Sequence, residues 1–390
     1  MDRYASQFYD LLSRAFGGDT SSARLQVFVD TVLADKYNAL NVDGFDFAPD
    51  MQLEFTYEQI QKELGITAMA NYYDLDSPAV PSSAGDVTVA TGSIPRMKNV
   101  EYFNEDKVRK QMILEKMLPA SQVGTRAKMA LFNTIDTLTQ AHTNSLTYQR
   151  HQMVSRRGLT LNDSNNPKGI VGITFSANVP DANVSKITGN RRFWTDKGTY
   201  ATEGSTANPV TDIIDWLAPI FDKGLNGHIE VSKPYWRRIL RHSGVLKALA
   251  AEKFPLAADQ TNAAAAASYM TEDAKTETLA QMIGCPIKVI DSKVAVEKYD
   301  KTLRKSVKTT VNAFEQDVLV FVPDGKIGEI LTVMPLPFAG ASASSTLYDG
   351  RLLITVADDP VKKCQTVCTE MTSLCVPEVP QYMYYLYPNE

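Results

Sequence analysis

The strongest constraint on this chain is a helical signal of unusual length. From Gln122 to Arg157, the residues Met129, Phe132, Ile135, Leu138, His142, Leu146, Gln149 and Met153 recur at steps of three or four and trace one face. Gly158 follows Arg156 and Arg157, which predicts a basic last turn and a glycine stop. A helix over that span is about 50 Å long, far beyond the usual globular length. Its stripe is rather polar, with Thr and Asn interleaved. Such a rod cannot be swallowed by a small core, so it is expected to lie across a thin, sheet-like body.

Upstream, the chain reads as pieces that cannot build a core alone. Tyr4, Phe8, Leu11, Leu12 and Phe16 share a helical face stopped by Gly17-Gly18, and a second helical run covers Arg24 to Tyr37. Thr56-Tyr57-Glu58-Gln59 has the form of a capping box and predicts a short helix ending at Gly65. Asn71 to Met112 is punctuated by Pro78, Pro81, Gly85, Gly92 and Pro95, and around Val87 and Val89 it alternates like an exposed strand. With so little apolar material, this excursion is either disordered or laid on a neighbouring surface.

Downstream, Leu159-Thr160-Leu161 and Ile170 to Phe175 read as short strands. From about 209 to 345 helices and strands alternate, which suggests an α/β lobe around a buried sheet. Asn208-Pro209 opens a helix with Ile213, Ile214, Trp216, Leu217 and Ile220 on its apolar side. The strand His228 to Val231 leads into a helix capped by Ser232, and Thr276 to Ile283 is a further helix closed by Gly284. Pro286 to Val296 is a strand region, and Asp317 to Val322 is a nearly continuous apolar strand before the turn Pro323-Asp324-Gly325. Arg351 to Val356, Gln365 to Thr369 and Gln381 to Tyr387 are further strands, the first closed by the turn Asp358-Asp359-Pro360.

Composition narrows the function classes. The 390 residues are 44% hydrophobic and 22% charged, with a formal net charge of −5. That balance is ordinary for a globular chain and unlike the strongly basic domain of a dedicated nucleic-acid binder. The start, Met1-Asp2-Arg3-Tyr4, does not read as a signal peptide, and no run approaches about 18 consecutive apolar residues. The four cysteines, Cys285, Cys364, Cys368 and Cys375, fit a reducing compartment. The sequons at Asn162 and Asn183 read as chance matches.

No catalytic, cofactor-binding or metal-binding residue is assigned. There is no phosphate-binding Gly-x-x-x-x-Gly-Lys-Ser/Thr and no Gly-x-Ser-x-Gly elbow, and Gly340 to Ser345 reads as a small polar loop. His142, His151, His228 and His242 lack ligand spacing and read as packing or surface residues. Cys364, Cys368 and Cys375 do not space like a zinc ribbon, although thiols four apart on a strand share a face; burial is preferred over a metal or disulfide role. Asp358-Asp359 and the acidic residues near Asp74 and Asp76 could bind a cation, and turn chemistry explains them at least as well. Arg237, Arg238 and Arg241 read as a solvated or inter-subunit salt-bridge face rather than a DNA contact.

From about Gly65 onward the order of elements resembles the lambda-like major capsid protein E family, with the Hong Kong 97-type fold. The resemblance rests on Thr91-Gly92-Ser93-Ile94-Pro95 before the long helix, the helix and the strand after it, and Trp194 followed by Asn208-Pro209-Val210-Thr211-Asp212-Ile213. It also rests on Val231-Ser232-Lys233-Pro234-Tyr235-Trp236, Asp317 to Gly325 and the closing Asp359-Pro360. Asn208 stands where the family more often has Asp, the helix end at Arg150, His151 and Gln152 is basic and polar where the family is often acidic, and the first 60 or so residues have no match.

The resemblance implies an α+β chain with an N-terminal arm (1–70), an extended loop (71–116), a peripheral domain with the spine helix (117–208), an axial domain (209–345) and a return to the peripheral domain (346–390). It implies a shell protein of a tailed phage, not an enzyme. Its partners would be copies of itself in hexamers and pentamers, portal, scaffolding and decoration proteins, and packaged double-stranded DNA held without sequence preference. It would need no cofactor and no membrane, and would sit in the virion after assembly in the host bacterial cytoplasm. Arm and loop would be ordered by burial between subunits, in the head-to-tail contacts that build shells. The alternatives are an encapsulin-like compartment and a soluble α/β hydrolase or transferase on the 209–345 lobe.

Overall fold

A computed structural model describes residues 40, 42–60, 89–103, 120–188, 207–253, 266–300, 305–337, 343–359 and 364–388, with Gln26, Val29 and Trp194 as single positions. The first expected helix and Asp74 and Asp76 lie outside these residues; within the second, Gln26 and Val29 are helical. The class is α+β, and the chain divides into two compact units, each gathered from three separated segments. The long helix runs over Ala120–Ser155, 36 residues.

The first unit comprises Met1–Tyr57, Gly92–Thr147 and Glu329–Cys375. Its sheet is ordered Phe45–Phe47, Gly328–Thr332, Cys364–Pro377, Leu352–Asp359 and Ala343–Tyr348, and Arg96–Phe103 also pairs with the long strand Cys364–Pro377. Along that strand Val367, Thr369 and Met371 are buried while Thr366, Cys368 and Glu370 are half-exposed, the alternation of a sheet with one covered face. The helix lies on the covered face: His142 meets Thr369, and Cys375 Sγ donates to the Leu146 carbonyl. At the sheet edge Gln26 Nε2 donates to the Leu347 carbonyl at 2.7 Å, which occupies an acceptor that an open edge strand would present to solvent.

The second unit comprises Glu58–Thr91, Tyr148–Gly328 and Val376–Glu390. Its sheet is ordered Val184–Lys186, Tyr384–Tyr387, Leu319–Pro323, Gly227–Ser232 and Ile287–Ile290. The central strand is buried throughout and runs antiparallel to both neighbours, while the two outer pairings are parallel. The sheet is therefore mixed. Helices Pro209–Phe221, Ser243–Lys253 and Glu272–Ile283 pack on one another, and Lys233–Ile239 packs on the strand before it. Their shared core contains Trp194, Trp216, Leu217, Tyr235, Trp236 and Phe321; full burial of one such side chain is worth about 1.5–3 kcal/mol. Gly227 is required by proximity, because a Cβ there would stand 2.3 Å from the Val322 carbonyl oxygen.

Several expectations are corrected. Thr56–Ile60 is a strand paired with Val89–Ser93, not a capped helix. Thr56 Oγ1 turns back to Glu54, and Tyr57 lies so close to Gly92 that a Cβ would meet its ring at 2.8 Å. Tertiary pairing has overridden a local capping pattern. The long helix stops at Ser155, so Arg156 and Arg157 follow it; Arg157 itself takes the positive φ of 60°. Gly158 opens a strand pairing with Thr174–Ser176, where a Cβ would be 2.5 Å from the Phe175 carbonyl oxygen. Ile170, Val171 and Ile173 precede that strand and are exposed. Asn208 and Ser232 occupy cap positions but make no side-chain cap bond, whereas Thr271 accepts from the Ala274 N–H. Ile214 faces outward, and Ala343 to Ser345 and Asp358-Asp359 lie in strands rather than in a loop and a turn.

Candidate functional site

The long helix carries both the predicted stripe and the polar groups with the most restricted surroundings. Ile135, Leu138, His142, Leu146, Gln149 and Met153 are all buried, as the spacing predicts. Up to Thr147 the helix belongs to the first unit. There the His142 ring, 2% exposed, places Nε2 3.0 Å from Thr369 Oγ1. Burial in these apolar surroundings lowers its pKa to about 4, so it is neutral at pH 7.

From Tyr148 the helix belongs to the second unit, and its last two turns hold a full charge. Arg150, 1% exposed, forks onto Glu230, 0% exposed, with bonds of 2.6 Å to Oε2 and 2.5 Å to Oε1. Burial alone would push the Glu230 carboxyl up. The His228 ring and the Arg150 guanidinium outweigh it and hold the carboxyl down at about 2. His228 stands 3.5 Å from Glu230 and 3.4 Å from Asp324, and the Glu230 carboxylate raises the imidazole pKa despite partial burial. Lys288 Nζ is 3.6 Å from the same carboxylate. A planar fork on a carboxylate is the geometry that makes a buried pair tolerable. Removing one partner leaves an uncompensated buried charge and costs about 3–5 kcal/mol.

Three neighbours complete this end of the helix. Arg150 Nη1 lies 3.0 Å from His151 Nδ1. Gln152 Nε2 donates to the Ala313 carbonyl at 2.6 Å. Ser155 Oγ donates to the His151 carbonyl at 2.6 Å and accepts from the Glu315 N–H at 3.0 Å. Just beyond, Arg156 pairs with Glu315 and Arg157 with Asp181, on the rim of a cleft of about 520 Å³ that also includes Thr160, Ser176 and Tyr387. Both cations in that cleft are already paired.

The remaining candidates lie elsewhere in the fold. Arg237 meets Glu272 at 2.8 Å and Arg238 meets Asp317 at 2.8 Å, so two arginines of the basic face form salt bridges within the chain. Cys368 is half-buried on one face of its strand, and Cys375 is buried on the other with its thiol on the Leu146 carbonyl. Cys368 is a free thiol, as is Cys285, whose thiol burial pushes to about 11. Asn183 is buried and donates to the Gln381 and Met383 carbonyls, and Asn162 Oδ1 accepts from the Ser164 and Asn165 N–H groups. Among the described residues no group of three or more His, Cys, Asp or Glu is placed to hold a metal, and no helix is long and apolar enough to cross a membrane.

Two of the family-like motifs meet in space. Trp194 Nε1 donates to Asp212 Oδ2 at 3.0 Å, both buried, and Trp236 Nε1 donates to Thr276 Oγ1 at 2.8 Å. The partner that sequence reasoning missed is Glu230. Its signal is present: an acid inside the strand His228-Ile229-Glu230-Val231, flanked in sequence by two apolar residues. Only the fold tells which cation answers it.

No protein-family model matches the chain, and no curated protein matches it in sequence. Solved structures do resemble it in fold. A phage-related protein from Bordetella bronchiseptica RB50 is 12% identical with a TM-score of 0.43, covering 97% of this chain and 96% of that one. A chain of the satellite phage P4 procapsid, which includes the size determination protein, is 10% identical with a TM-score of 0.41, covering 92% and 98%. The capsid of cyanophage P-SCSP1u is 10% identical with a TM-score of 0.41, covering 88% and 86%.

Proposed function

We propose that this chain is the major capsid protein of a tailed bacteriophage, of the lambda-like family and the Hong Kong 97-type fold. It self-assembles as hexamers and pentamers into the icosahedral shell around the double-stranded DNA genome. The observation that carries the reading is the 36-residue helix Ala120–Ser155, set between the strands Arg96–Phe103 and Gly158–Thr160 in the order the family resemblance implies. One further feature supports it: each compact unit is gathered from three separated stretches of chain.

The finer parts of the reading follow the family. Residues 1–70 are the arm, 71–116 the extended loop, 117–208 with 346–390 the peripheral domain and 209–345 the axial domain. Portal and scaffolding proteins are its partners, and double-stranded DNA lies against its inner face without sequence preference. Assembly takes place in the host bacterial cytoplasm and the mature protein resides in the virion, with no catalytic role. The test is expression of the full chain, alone and with its neighbouring genes, followed by sedimentation and negative-stain electron microscopy. Rings, tubes or closed shells are expected. A stable monomer or small dimer in both preparations overturns the proposal.

A further inference from the structure

We infer that His151 is an acid-operated latch on the last two turns of the long helix. The argument begins with donor and acceptor chemistry. An arginine guanidinium only donates, so its contact of 3.0 Å with His151 Nδ1 requires a lone pair there. The ring is therefore the neutral tautomer with its proton on Nε2, an assignment that follows from the partner. Protonating Nδ1 removes the acceptor and sets a second cation directly against Arg150. His151 is 8% exposed and Arg150 1%, so water cannot screen the repulsion.

The charged groups around the ring do not cancel it. From its own helix His151 faces Arg150, and from the strand Gly227–Ser232 it faces Glu230, whose two oxygens are already forked by that arginine. Behind Glu230 stand His228, Lys288 and Asp324, two bases and one acid. The segment after the strand Lys305–Asn312 presents the Phe314 ring, edge-on at 6.0 Å and uncharged, and carries Glu315, whose carboxylate pairs with Arg156. Burial, followed by Arg150, accordingly lowers the imidazole pKa to about 4. The same turns are tied to that segment through Gln152 to Ala313 and Ser155 to Glu315. Losing the Arg150–His151 bond in acid loosens Tyr148 to Ser155 where these ties hold it. The latch goes beyond the capsid reading and is independent of it, because every group belongs to one chain.

The test is amide hydrogen exchange of the full chain, read by mass spectrometry as protection factors for peptides covering 148–155 and 313–315 from pH 7 to pH 4. Protection there is expected to fall by about tenfold or more as pH drops. In His151→Asn, which keeps an acceptor and cannot titrate, protection should stay level; His142→Asn, altered elsewhere on the helix, should still show the fall. Equal falls in His151→Asn and the parent chain overturn the latch. Should His151→Asn not fold, the ring is titrated by NMR in the parent chain. Titration near the ordinary imidazole value overturns the proposal, and a ring that stays neutral until protection is lost near pH 4 supports it.

Discussion

His142 and Arg150 sit two turns apart on one helix, and the two units bury them in opposite ways. In the first unit the partner is one threonine hydroxyl, which cannot neutralise a charge, and the imidazole stays neutral. In the second the partner is a carboxylate that accepts two parallel bonds, and its pKa is held down at about 2. The lesson is that burial alone does not decide ionisation. The number and charge of the acceptors that the facing strand supplies decide it.

The largest test breaks the charged side. Glu230→Gln leaves Arg150 buried with half its fork and no counter-charge, and is expected to destabilise the chain by about 3–5 kcal/mol in chemical denaturation. Arg150→Met with Glu230→Leu, which removes both charges, should cost far less than either single change. A double variant as unstable as the singles would show that fit, not charge, holds this end of the helix.

The neutral side is tested by pH. The His142 pKa is about 4 in the folded chain against an ordinary 6.5, so the unfolded chain binds the proton first. Stability is then unaffected above about pH 6.5 and lost as pH falls from there toward 4, by up to about 3 kcal/mol. His142→Gln keeps a polar head without a titrating proton, and its stability should decline less steeply over that window. An unchanged slope would mean that the ring already carries its proton in the folded chain.

Much of this was legible beforehand, and what was hidden has a common cause. Helical spacing placed the stripe from Ile135 to Met153 because period alone defines a face. The apolar run at Leu319–Pro323 marked the central strand, and Gly284 ended its helix with a positive φ of 75°. Thr56-Tyr57-Glu58-Gln59 misled because a cap motif is a local preference, and pairing with Val89–Ser93 is worth more than one cap bond. Arg150, His151 and Gln152 read as a basic, polar helix end. Their burial depends on Glu230 and Ala313, 80 and 161 residues away, which no local pattern encodes.

A third buried group sharpens the comparison. Asp212 Oδ2 accepts from the neutral Trp194 N–H at 3.0 Å, where Thr369 faces His142 with a hydroxyl and Arg150 faces Glu230 with a guanidinium. Asp212→Ala leaves that indole donor unsatisfied and should cost about 1–3 kcal/mol in a thermal or chemical melt. Asp212→Asn, which retains an acceptor oxygen, should recover most of the loss. No recovery would mean that the carboxylate charge contributes here as well.

The smallest expected effect isolates burial from pairing. Arg237 and Glu272 make an arginine–carboxylate contact of 2.8 Å, chemically like Arg150 and Glu230, but with both side chains about half exposed. Water already solvates each group when the other is absent, so Arg237→Ala or Glu272→Ala should change stability by about 0.5 kcal/mol or less, and less still in high salt. A double-mutant cycle on this pair, set beside the cycle on Arg150 and Glu230, measures the difference directly. Equal coupling energies at the two sites would mean that the enclosure around Glu230 contributes nothing; a strongly unequal result assigns the second unit's hold on the helix end to a dry charge pair.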